Sequence, residues 1–451
     1  MFDTCQHVLE SFGYEAYNAP MLEPFDLYAA KTGDEIVNEQ TYLLEDRGGR
    51  KVAIRPEMTP SVSRMVAGRR QELAYPLRWY SIPNLWRYER PQKGRLREHW
   101  QLNVDIFGVG DMAAEHEVIL VADAIMQAFA AKRSQYVIKL NSRKLTDSFL
   151  RNYLDLSEVQ AHTMAKLIDR MHKIPHSEFV AQAEAIMTPS QRELGLSGKL
   201  QDALTIKDIN ELPEELYGHE SVLEVKKLLK LLHDSGVKNL EFDITLMRGF
   251  DYYTDIVFEI FDTNPENNRS MFGGGRYDGL VGLFGVEPVP TVGFGMGDVT
   301  LANFLEENNL VPKLRSETDA YIVLVGDVYE QAQPTIKSLR EMGLNIAVDT
   351  SGRKAASQIK SAVKKDVHYA IFIGEKELAE DQFNLKNLQT GKEETHGLQR
   401  IVSIVKDYRK NWCWRIYFLP YLPTWWWQQA VTLLSATIGQ SSAGKNWFGK
   451  P

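Results

Sequence analysis

The stretch "RWYSIPNLWRYERPQKGRLREHWQLNVDIFG", residues 78–108, predicts two β-strands joined by a long basic connection. Aromatic and apolar runs flank a connection that contains proline and glycine, which is typical of an antiparallel hairpin. Five Lys or Arg residues lie from Arg87 to Arg97, although the whole chain has a formal net charge of -8. Arginine side chains bind phosphate oxygens in a bidentate fashion, so the hairpin is a candidate phosphate site. The alternative is a solvated hairpin whose arginines pair with Glu89 and Glu98.

The composition indicates an ordinary globular protein. With 451 residues, 44% of them hydrophobic and 25% charged, two or three domains are expected and general disorder is excluded. The sequence pI of about 5.8 excludes a basic coat but not a local nucleic-acid site. Two cysteines, Cys5 and Cys413, exclude a disulfide framework and a cysteine zinc site. Because we find no secretory signal and no apolar span of ~20 residues, we expect a soluble cytoplasmic protein without a membrane partner.

Helical and strand periodicities divide the chain into parts. In the last third, apolar strands alternate with amphipathic helices, which indicates a parallel sheet in an α/β domain. One of those helices is expected to bury Ala355, Ile359, Ala362 and Val363. The tail lacks Asp and Glu from Asn411 onward and holds six of the nine tryptophans, so it is either a membrane-interface anchor or a read-through product, and we assign it no function. The predicted parts are residues 1–144 (mixed α and β, first part), 145–235 (helical insertion), 236–312 (second part of the mixed domain), 317–408 (α/β domain) and 409–451 (Trp-rich tail).

Two further motifs contain residues suited to binding a small polar ligand. "IRPEMTP" places Glu57 and Thr59 after a strand, where a carboxylate could hold an ammonium group or could equally be a surface acid or a helix cap. "MRGFDYYTDIVFE" brings Arg248, Tyr252 and Tyr253 together before a strand. These residues predict either an aromatic pocket with a fixed cation or a strand with one ring in the core and one in solvent.

Two glycine-rich stretches complete the set of motifs. "GGGRYDGL", residues 273–280, and "GFGMG", residues 293–297, have neither the strand–GxGxxG–helix context of a dinucleotide site nor the Lys-Ser/Thr pair of a phosphate loop. From their spacing alone we expect tight turns.

The succession "RPEMTP", "RYERPQKGRLREHWQLNVDIFG", "RGFDYYTDIVFE", "GGGRYDGL" and "VGFGMG" closely resembles that of histidyl-tRNA synthetases, which are class II aminoacyl-tRNA synthetases. The resemblance covers roughly residues 1–408. It implies an α+β catalytic domain with a six-stranded antiparallel sheet, a helical insertion near the tRNA acceptor arm, and a C-terminal α/β anticodon-binding domain. It also implies a homodimer formed partly through the region of Pro20.

The resemblance further implies a histidine–tRNA ligase that uses L-histidine, ATP and tRNA(His), with Mg²⁺ neutralising the pyrophosphate leaving group. It names no protein ligand for the metal. The roles that it implies are as follows: Glu57, Thr59 and Gln101 hold the amino group of histidine; Asp105, Tyr252 and Tyr253 recognise the imidazole; Arg87 and Arg248 bind the histidine carboxylate and the ATP α-phosphate and act in catalysis; Glu89 meets the adenine end of ATP; Gln92, Lys93, Arg95 and Arg97 reach the tRNA acceptor end.

The chain departs from the family pattern at two places. Thr300 stands where an ATP-binding arginine is expected, and an upstream segment with an Arg-Gly-x-x-Asp pattern is absent. Two non-enzymatic alternatives therefore stay open. One is the synthetase-like regulatory subunit of ATP phosphoribosyltransferase, which normally lacks the C-terminal domain and alters the "RGFDYY" loop. Both features are intact in this chain, which weighs against that alternative. The other is a catalytically silent module that senses histidine or tRNA.

Overall fold

The chain forms two compact units, residues Met1–Val311 and Pro312–Pro451. The structure is a computed structural model that describes residues 1–29, 39–89, 95–247, 252–267, 270–312 and 316–417, with residues 410–417 described by their backbone alone. None of the described helices is long and apolar enough to span a bilayer. The finer division of the first unit into a catalytic domain and an insertion stays a prediction.

A large sheet and a small sheet form the β structure of the first unit. The large sheet has the strand order β1-β5-β7-β12-β11-β10-β8-β9, with β6 paired to β7. The strands of the unit are β1 (Glu15–Ala16), β2 (Leu22–Pro24), β3 (Tyr42–Glu45), β4 (Lys51–Ile54), β5 (Leu77–Ser81), β6 (Asn84–Trp86), β7 (Glu98–Phe107), β8 (Tyr136–Ser142), β9 (Leu240–Phe242), β10 (Ile256–Asp262), β11 (Ser270–Arg276) and β12 (Thr291–Gly297). The six strands from β5 to β8 in this order are antiparallel, and β1 and β9 add one parallel strand at each edge. The predicted six-stranded antiparallel sheet is thus confirmed, with these additions.

The stretch "TYLLEDRGGRKVAIRPE" has apolar runs on both sides of Gly48 and Gly49, which predicts a hairpin, and the structure confirms it. Strands β3 and β4 pair antiparallel, and β2 pairs with the other side of β4. Gly49 has a φ of +77°, a conformation that favours glycine. The Asp46 carboxylate accepts hydrogen bonds from the backbone N–H groups of Gly48 and Arg50, at 2.8 and 2.9 Å, and this closes the turn.

Helices cover the large sheet and fill the stretch predicted as an insertion. Residues 143–234 are entirely described and contain helices and turns but no strand, as their sequence predicts. Apolar side chains of α1 and α4 join those of β7 and β8 in one continuous core. The helices are α1 (Phe2–Ser11), α2 (Phe25–Ala29), α3 (Thr59–Arg69), α4 (Ala113–Ala128), α5 (Arg143–Ser148), α6 (Glu158–Asp169), α7 (His176–Ile186), α8 (Pro189–Glu193), α9 (Leu196–Ala203), α10 (Glu220–Asp234) and α11 (Asp298–Glu307).

The second unit is an α/β domain with a mixed sheet of order β14-β13-β15-β16-β17. Its elements are β13 (Ala320–Leu324), α12 (Tyr329–Glu341), β14 (Ile346–Val348), α13 (Ala355–Lys364), β15 (Tyr369–Ile373), α14 (Glu375–Glu380), β16 (Phe383–Asn387), β17 (Glu393–His396) and α15 (Leu398–Tyr417). The first three strands of the unit are parallel, but β16 and β17 form an antiparallel hairpin that the sequence analysis missed. Its second strand contains no apolar residue, and the hairpin is rich in Asn, Lys and Glu, which are depleted in strands, so its strand signal is weak.

The buried face of α13 differs from the predicted one at a single position. Val363 is 53% exposed, whereas Ala362 is buried. Gln358 is fully buried in addition, because its amide donates to the carbonyls of Leu324 and Arg353 and accepts from the N–H of Leu324. The buried face of α13 therefore includes the polar Gln358 and excludes Val363, which helical periodicity alone would assign to it.

Candidate active site

A cavity of about 230 Å³ opens over β7, β11 and β12 and collects side chains from distant parts of the chain. Among its lining residues are these predicted site residues: Glu57, Thr59, Arg87, Glu89, Arg95, Gln101, Asp105, Tyr252 and Tyr253. Arg97 is outside this lining. Arg248, Gln92 and Lys93 lie outside the described residues.

Strand β7 presents a polar face to the cavity. Residues at every second position, from His99 through Gln101 and Asn103 to Asp105, line the cavity. The intervening residues Leu102, Val104 and Ile106 lie in the main apolar core. This is the period of two that a strand imposes on its side chains, so one strand both anchors the fold and supplies the floor of the site.

The glycines of β12 make room for those polar side chains. Gly293 pairs with Asp105 and Gly295 pairs with Asn103 across the two strands. A Cβ atom at Gly293 would clash with the Asp105 carboxylate, and one at Gly295 would clash with the Gln101 amide. The interpretation of "GFGMG" as a tight turn is therefore wrong: these glycines lie within a strand that two side chains cross.

The "GGG" run is likewise part of a strand rather than a turn. Gly273–Gly275 belong to β11, which pairs with β10 on one side and β12 on the other. A Cβ atom at Gly274 would clash with the backbone of β12, and one at Gly275 would approach the carbonyl oxygen of Ile256. Close approach of neighbouring backbones is a second reason for glycine inside a strand.

Asp105 is a buried carboxyl group at the floor of the cavity. Its side chain is almost inaccessible to solvent, and this burial raises the pKa of Asp105 to about 7. The buried Tyr277 hydroxyl donates a hydrogen bond to Oδ1, which opposes that rise. The second carboxyl oxygen, Oδ2, is consequently the one better placed to accept a hydrogen bond from a ligand.

Glu57 and Gln101 supply further acceptors to the cavity. Glu57 is buried, and the Tyr252 hydroxyl donates to its Oε2 at 3.4 Å. Within the described part of the chain, the buried Oε1 of Gln101 has no hydrogen-bond partner. Because an unsatisfied buried acceptor is costly, Gln101 is suited to receive a donor from a ligand. Thr59 begins α3 beside Glu57 and also lines the cavity.

Three tyrosine rings form one wall of the cavity. The ring centroids of Tyr252 and Tyr253 are 4.9 Å apart, and those of Tyr252 and Tyr277 are 5.6 Å apart. Strand β10 begins only at Ile256, so neither Tyr252 nor Tyr253 is a strand residue. The alternative with one ring in the core and one in solvent is therefore wrong, since both rings line the same cavity.

Cationic groups of the β6–β7 hairpin also line the cavity. Arg87 is half-buried, and its Nε donates to the carbonyl oxygen of Pro56 at 2.8 Å. Arg95 Nη1 lies 3.3 Å from Glu89 Oε2 in an ion pair that also lines the cavity. The predicted surface pairing with Glu89 thus exists for Arg95, whereas Glu98 accepts a hydrogen bond from Asn84.

Arg97 points to a different surface. Its Nε donates to the carbonyl oxygen of Glu89 at 3.2 Å, and its guanidinium group lies 4.4 Å from the centroid of the Tyr88 ring. Tyr88 is exposed, so Arg97 and Tyr88 together present a cationic and aromatic surface beside the cavity rather than inside it.

His99 is a cavity residue that the sequence analysis missed. Burial, and secondarily the charge of Arg87, lower the pKa of His99 to about 4. The imidazole is therefore neutral at physiological pH and cannot add to the positive charge of Arg87. The signal that could have found it is its spacing, because His99 precedes Gln101 by two positions and Asp105 by six on the same strand.

Thr300 and Asp298 lie at the start of α11, where the family pattern has its arginine. The Thr300 hydroxyl donates to the carbonyl oxygen of Met271 at 2.7 Å, so it packs into the fold and supplies no charge. The Asp298 carboxylate accepts from the N–H of Val299 at 2.8 Å, and burial raises the pKa of Asp298. Both residues line the cavity, which makes this edge more acidic than the family pattern predicts.

The acidic residues of the cavity do not form a metal site by themselves. In the described parts of the chain, no group of three or more His, Cys, Asp or Glu side chains could hold a metal ion. Mg²⁺ commonly needs only one or two carboxylates when substrate phosphates and water complete its coordination. Glu89 and Asp298 are two carboxylates of the cavity lining.

Comparison with known proteins agrees with this geometry. A profile described as "Histidyl-tRNA synthetase" matches residues 1–299, and one described as "Anticodon binding domain" matches residues 319–408. The histidine–tRNA ligase of Leptospira biflexa is 41% identical over 409 residues, 90% of this chain and 93% of that protein. The histidine–tRNA ligase of Thermoplasma volcanium is 34% identical over 407 residues, 90% of this chain and 94% of that protein.

A solved structure shows the same fold. The histidyl-tRNA synthetase from Nostoc sp. PCC 7120 matches with a TM-score of 0.76 at 23% identity, over 90% of this chain and 94% of that one. The first profile spans more than half of the 451 residues, and the two relatives exceed 30% identity over nearly their whole length. By these matches, together with the cavity that its motifs form, the chain belongs to the histidyl-tRNA synthetase family.

Proposed function

We propose that the chain is a histidine–tRNA ligase, which activates L-histidine with ATP and transfers it to the 3′ end of tRNA(His). Family membership supports the reaction class. The observation that carries the choice of amino acid is the buried Asp105, which has one oxygen engaged by Tyr277. We place the activity in the cytoplasm.

Asp105 is assigned to the imidazole of histidine. A carboxylate oxygen accepts an imidazole N–H, while the rings of Tyr252 and Tyr253 pack against the substrate. An apolar amino acid in this position would leave a buried carboxyl group unpaired, and such sites reject analogues by factors of about 10⁴. The pairing thus supplies selectivity as well as affinity.

Glu57, Thr59 and Gln101 are assigned to the amino group of histidine. Glu57 supplies a buried negative charge, and Gln101 supplies a buried acceptor that has no other partner among the described residues. An ammonium group has three donors and no acceptor, so three neighbouring oxygens would satisfy it. Holding the ammonium group fixes the attached carboxylate for reaction.

Arg87 and Arg248 are assigned to the charge that develops during adenylate formation. The histidine carboxylate attacks the α-phosphorus of ATP, and the bond between the α-phosphorus and the α,β-bridging oxygen breaks to release pyrophosphate. Two anions approach each other in this step, so cations fixed in advance lower the barrier. Mg²⁺, when bound with ATP, neutralises the leaving pyrophosphate.

Glu89 is assigned to the adenine end of ATP, and Arg95 to its phosphates. The sequence placed Arg95 at the tRNA acceptor end, but its position in the cavity lining supports a phosphate contact before tRNA arrives. Such a contact would compensate for the missing charge at Thr300. Both assignments require that the ion pair between Glu89 and Arg95 opens when ATP binds.

Several surfaces are assigned to tRNA(His). Arg97 with Tyr88 faces outward beside the cavity, and Gln92 and Lys93 belong to the same connection in the sequence. The helical insertion, residues 145–235, is assigned to the acceptor arm and residues 317–408 to the anticodon. The 3′-terminal ribose hydroxyl would attack the carbonyl carbon of the adenylate and release AMP.

A homodimer is proposed through the small sheet and the neighbouring segment of Pro20. Met21, Leu22, Leu43 and Leu44 are 42–51% exposed there. Leu43 and Leu44 are adjacent on β3, so they point to opposite faces of the strand and leave apolar surface on both. An apolar patch of this kind is typical of a protein interface.

Histidine-dependent ATP–pyrophosphate exchange, followed by charging of tRNA(His), tests the proposed function. We expect exchange with histidine and none with the other amino acids. Both non-enzymatic alternatives would give no exchange. The match of residues 319–408 to an anticodon-binding domain weighs against the regulatory subunit, which normally lacks that domain.

A further inference from the structure

Two chain segments that deliver cavity residues are held together by reciprocal hydrogen bonds. One segment runs through residues 55–57 and ends at Glu57, and the other runs through residues 84–87 and ends at Arg87. The N–H of Trp86 donates to the carbonyl oxygen of Arg55 at 3.2 Å. The Arg87 side chain donates back to the carbonyl oxygen of Pro56 at 2.8 Å.

The Arg55 side chain forms the rest of this connection. Its Nε donates to the carbonyl oxygen of Asn84 at 3.1 Å, and its Nη2 donates to Asn84 Oδ1 at 3.2 Å. Its Nη1 donates to the carbonyl oxygen of Ala19 at 2.7 Å. One guanidinium group thus joins three segments that are far apart in sequence, while it is itself absent from the cavity lining.

Burial of the charged Arg55 side chain costs desolvation free energy. It is 5% exposed, and among the described residues no carboxylate lies within ion-pair distance of it. Its direct hydrogen-bond partners are carbonyl and amide oxygens, and Glu23 acts on its charge only at longer range. Replacing a buried charge by an apolar residue is often neutral or stabilising. Packing alone therefore gives no reason for an arginine here, whereas the fixed fork of a guanidinium group can hold two segments in one geometry.

We propose that Arg55 is a positioning residue for adenylate formation, which sets the distance between Glu57 and Arg87. This inference rests on the proposed function, in which Glu57 holds the ammonium group of histidine and Arg87 its carboxylate and the α-phosphate. The two side chains hold the ammonium and carboxylate groups on one carbon atom of the substrate, so their spacing determines where the carboxylate lies relative to phosphorus.

Loss of Arg55 should slow chemistry more than it weakens histidine binding. Histidine binding depends mainly on Asp105 and on the ammonium contacts, which remain. A displacement of the reacting carboxylate by about 1 Å can cost about 10²-fold in rate. We expect Arg55→Gln to reduce the single-turnover rate of histidyl-adenylate formation by about 30-fold or more and to change the histidine Kd by less than about 3-fold.

Arg64→Gln is the matched control. Arg64 donates to the buried Glu23 at 2.7 Å and contacts the same small sheet, but it touches neither residues 55–57 nor residues 84–87. Both variants lose a guanidinium contact, so both should lower the thermal unfolding midpoint. Only Arg55→Gln should lower the adenylation rate of the folded enzyme.

A double-mutant cycle tests whether Arg55 affects the adenylation rate through Arg87. If Arg55 acts through the placement of Arg87, Arg55→Gln should cost less than about 3-fold in a background that already contains Arg87→Lys. A full 30-fold loss in that background would overturn the inference, as would equal adenylation rates for Arg55→Gln and Arg64→Gln. Absence of exchange in the wild-type chain would instead overturn the proposed function, and this inference with it.

Discussion

The part of the cavity that we assign to histidine and the part that we assign to ATP, called the histidine end and the phosphate end below, are built on different kinds of structure. Asp105 and Gln101 project from the central strand β7 across the glycines of β12, and Asp105 is held by the buried Tyr277. Glu89 and Arg95 instead lie on a hairpin connection and pair with each other. The first end is fixed by the core before any substrate arrives, whereas the second must exchange an internal ion pair for contacts with ATP.

This difference suggests where selectivity and turnover are set. Rigid, buried groups discriminate strongly, because a wrong ligand leaves them without a partner. Exposed charges in high dielectric contribute little each and are screened by salt. Changes at the histidine end should therefore have large and specific effects, and loss of the Glu89–Arg95 ion pair should have a smaller one.

The largest effect is expected from Asp105→Ala. Removing the buried carboxylate deletes the acceptor for imidazole and leaves the Tyr277 hydroxyl unpaired. We expect kcat/KM for histidine in pyrophosphate exchange to fall by about 10³-fold or more, with the KM for ATP within about 3-fold of the wild-type value. A comparable rise in the KM for ATP would show that the two ends are not independent.

Gly295→Ala should have the next largest effect, since it acts on the same end through the backbone. The added methyl group would displace the Gln101 amide, which is the far end of a flexible side chain, so the strand itself should tolerate the change. We expect kcat/KM for histidine to fall by about 30- to 100-fold while the unfolding midpoint changes little. Gly279→Ala is the matched control, because a Cβ atom there meets no neighbour. Equal activities of the two variants would contradict the crossing of β12 by Gln101.

The sequence predicted the local strands and turns of the site better than their tertiary arrangement. The apolar runs that flank the basic connection in residues 78–108 and the turn at Gly48 and Gly49 are local signals, and both were interpreted correctly. The glycines of β11 and β12 were misinterpreted because glycine usually marks a turn. The requirement for glycine comes from contacts that are distant in sequence. A Cβ atom at Gly293, for example, would clash with Asp105, a residue 188 positions earlier.

Two other incorrect or missed predictions also depend on tertiary contacts that cannot be inferred from the sequence. Val363 belongs to the apolar stripe of α13 by periodicity, yet Gln358 takes the buried place because Leu324 offers both a donor and an acceptor. His99 was overlooked because a lone histidine between Glu98 and Trp100 carries no motif. The proposed convergence of Arg87 and Arg248 stays a prediction, since Arg248 lies outside the described residues.

The buried Asp105 should also give the histidine end a signature in stability against pH. Its pKa in the folded chain is about 7, above the value of about 3.9 expected when unfolded. The folded state therefore binds the proton more tightly, and stability falls as pH rises from about 4 to about 7. The slope within this window is about 1.4 kcal/mol per pH unit.

Asp105→Asn provides the reference for that measurement, because the amide does not titrate. We expect the free energy of unfolding of the wild-type chain, minus that of Asp105→Asn, to decline from pH 5 to pH 7 and to level off above pH 7. Denaturant unfolding without ligands at several pH values would measure it. A difference that is independent of pH would mean that Asp105 is already ionised at pH 5, and that the histidine end is more polar than its burial indicates.

Arg95→Ala should have the smallest effect and tests the phosphate end directly. The residue has two possible roles, an ATP contact inside the cavity and a tRNA contact at its mouth. Pyrophosphate exchange contains no tRNA, so a rise of about 5-fold in the KM for ATP would support the first role. Arg69→Ala removes a similar exposed ion pair, with Glu72, and should leave this KM unchanged.

If Arg95→Ala alters only the KM for tRNA during charging, the cation that compensates for Thr300 must come from elsewhere. Because the guanidinium group is half exposed and its ion pair weak, the ATP effect should also shrink as salt increases, in contrast to the salt-insensitive loss at Asp105.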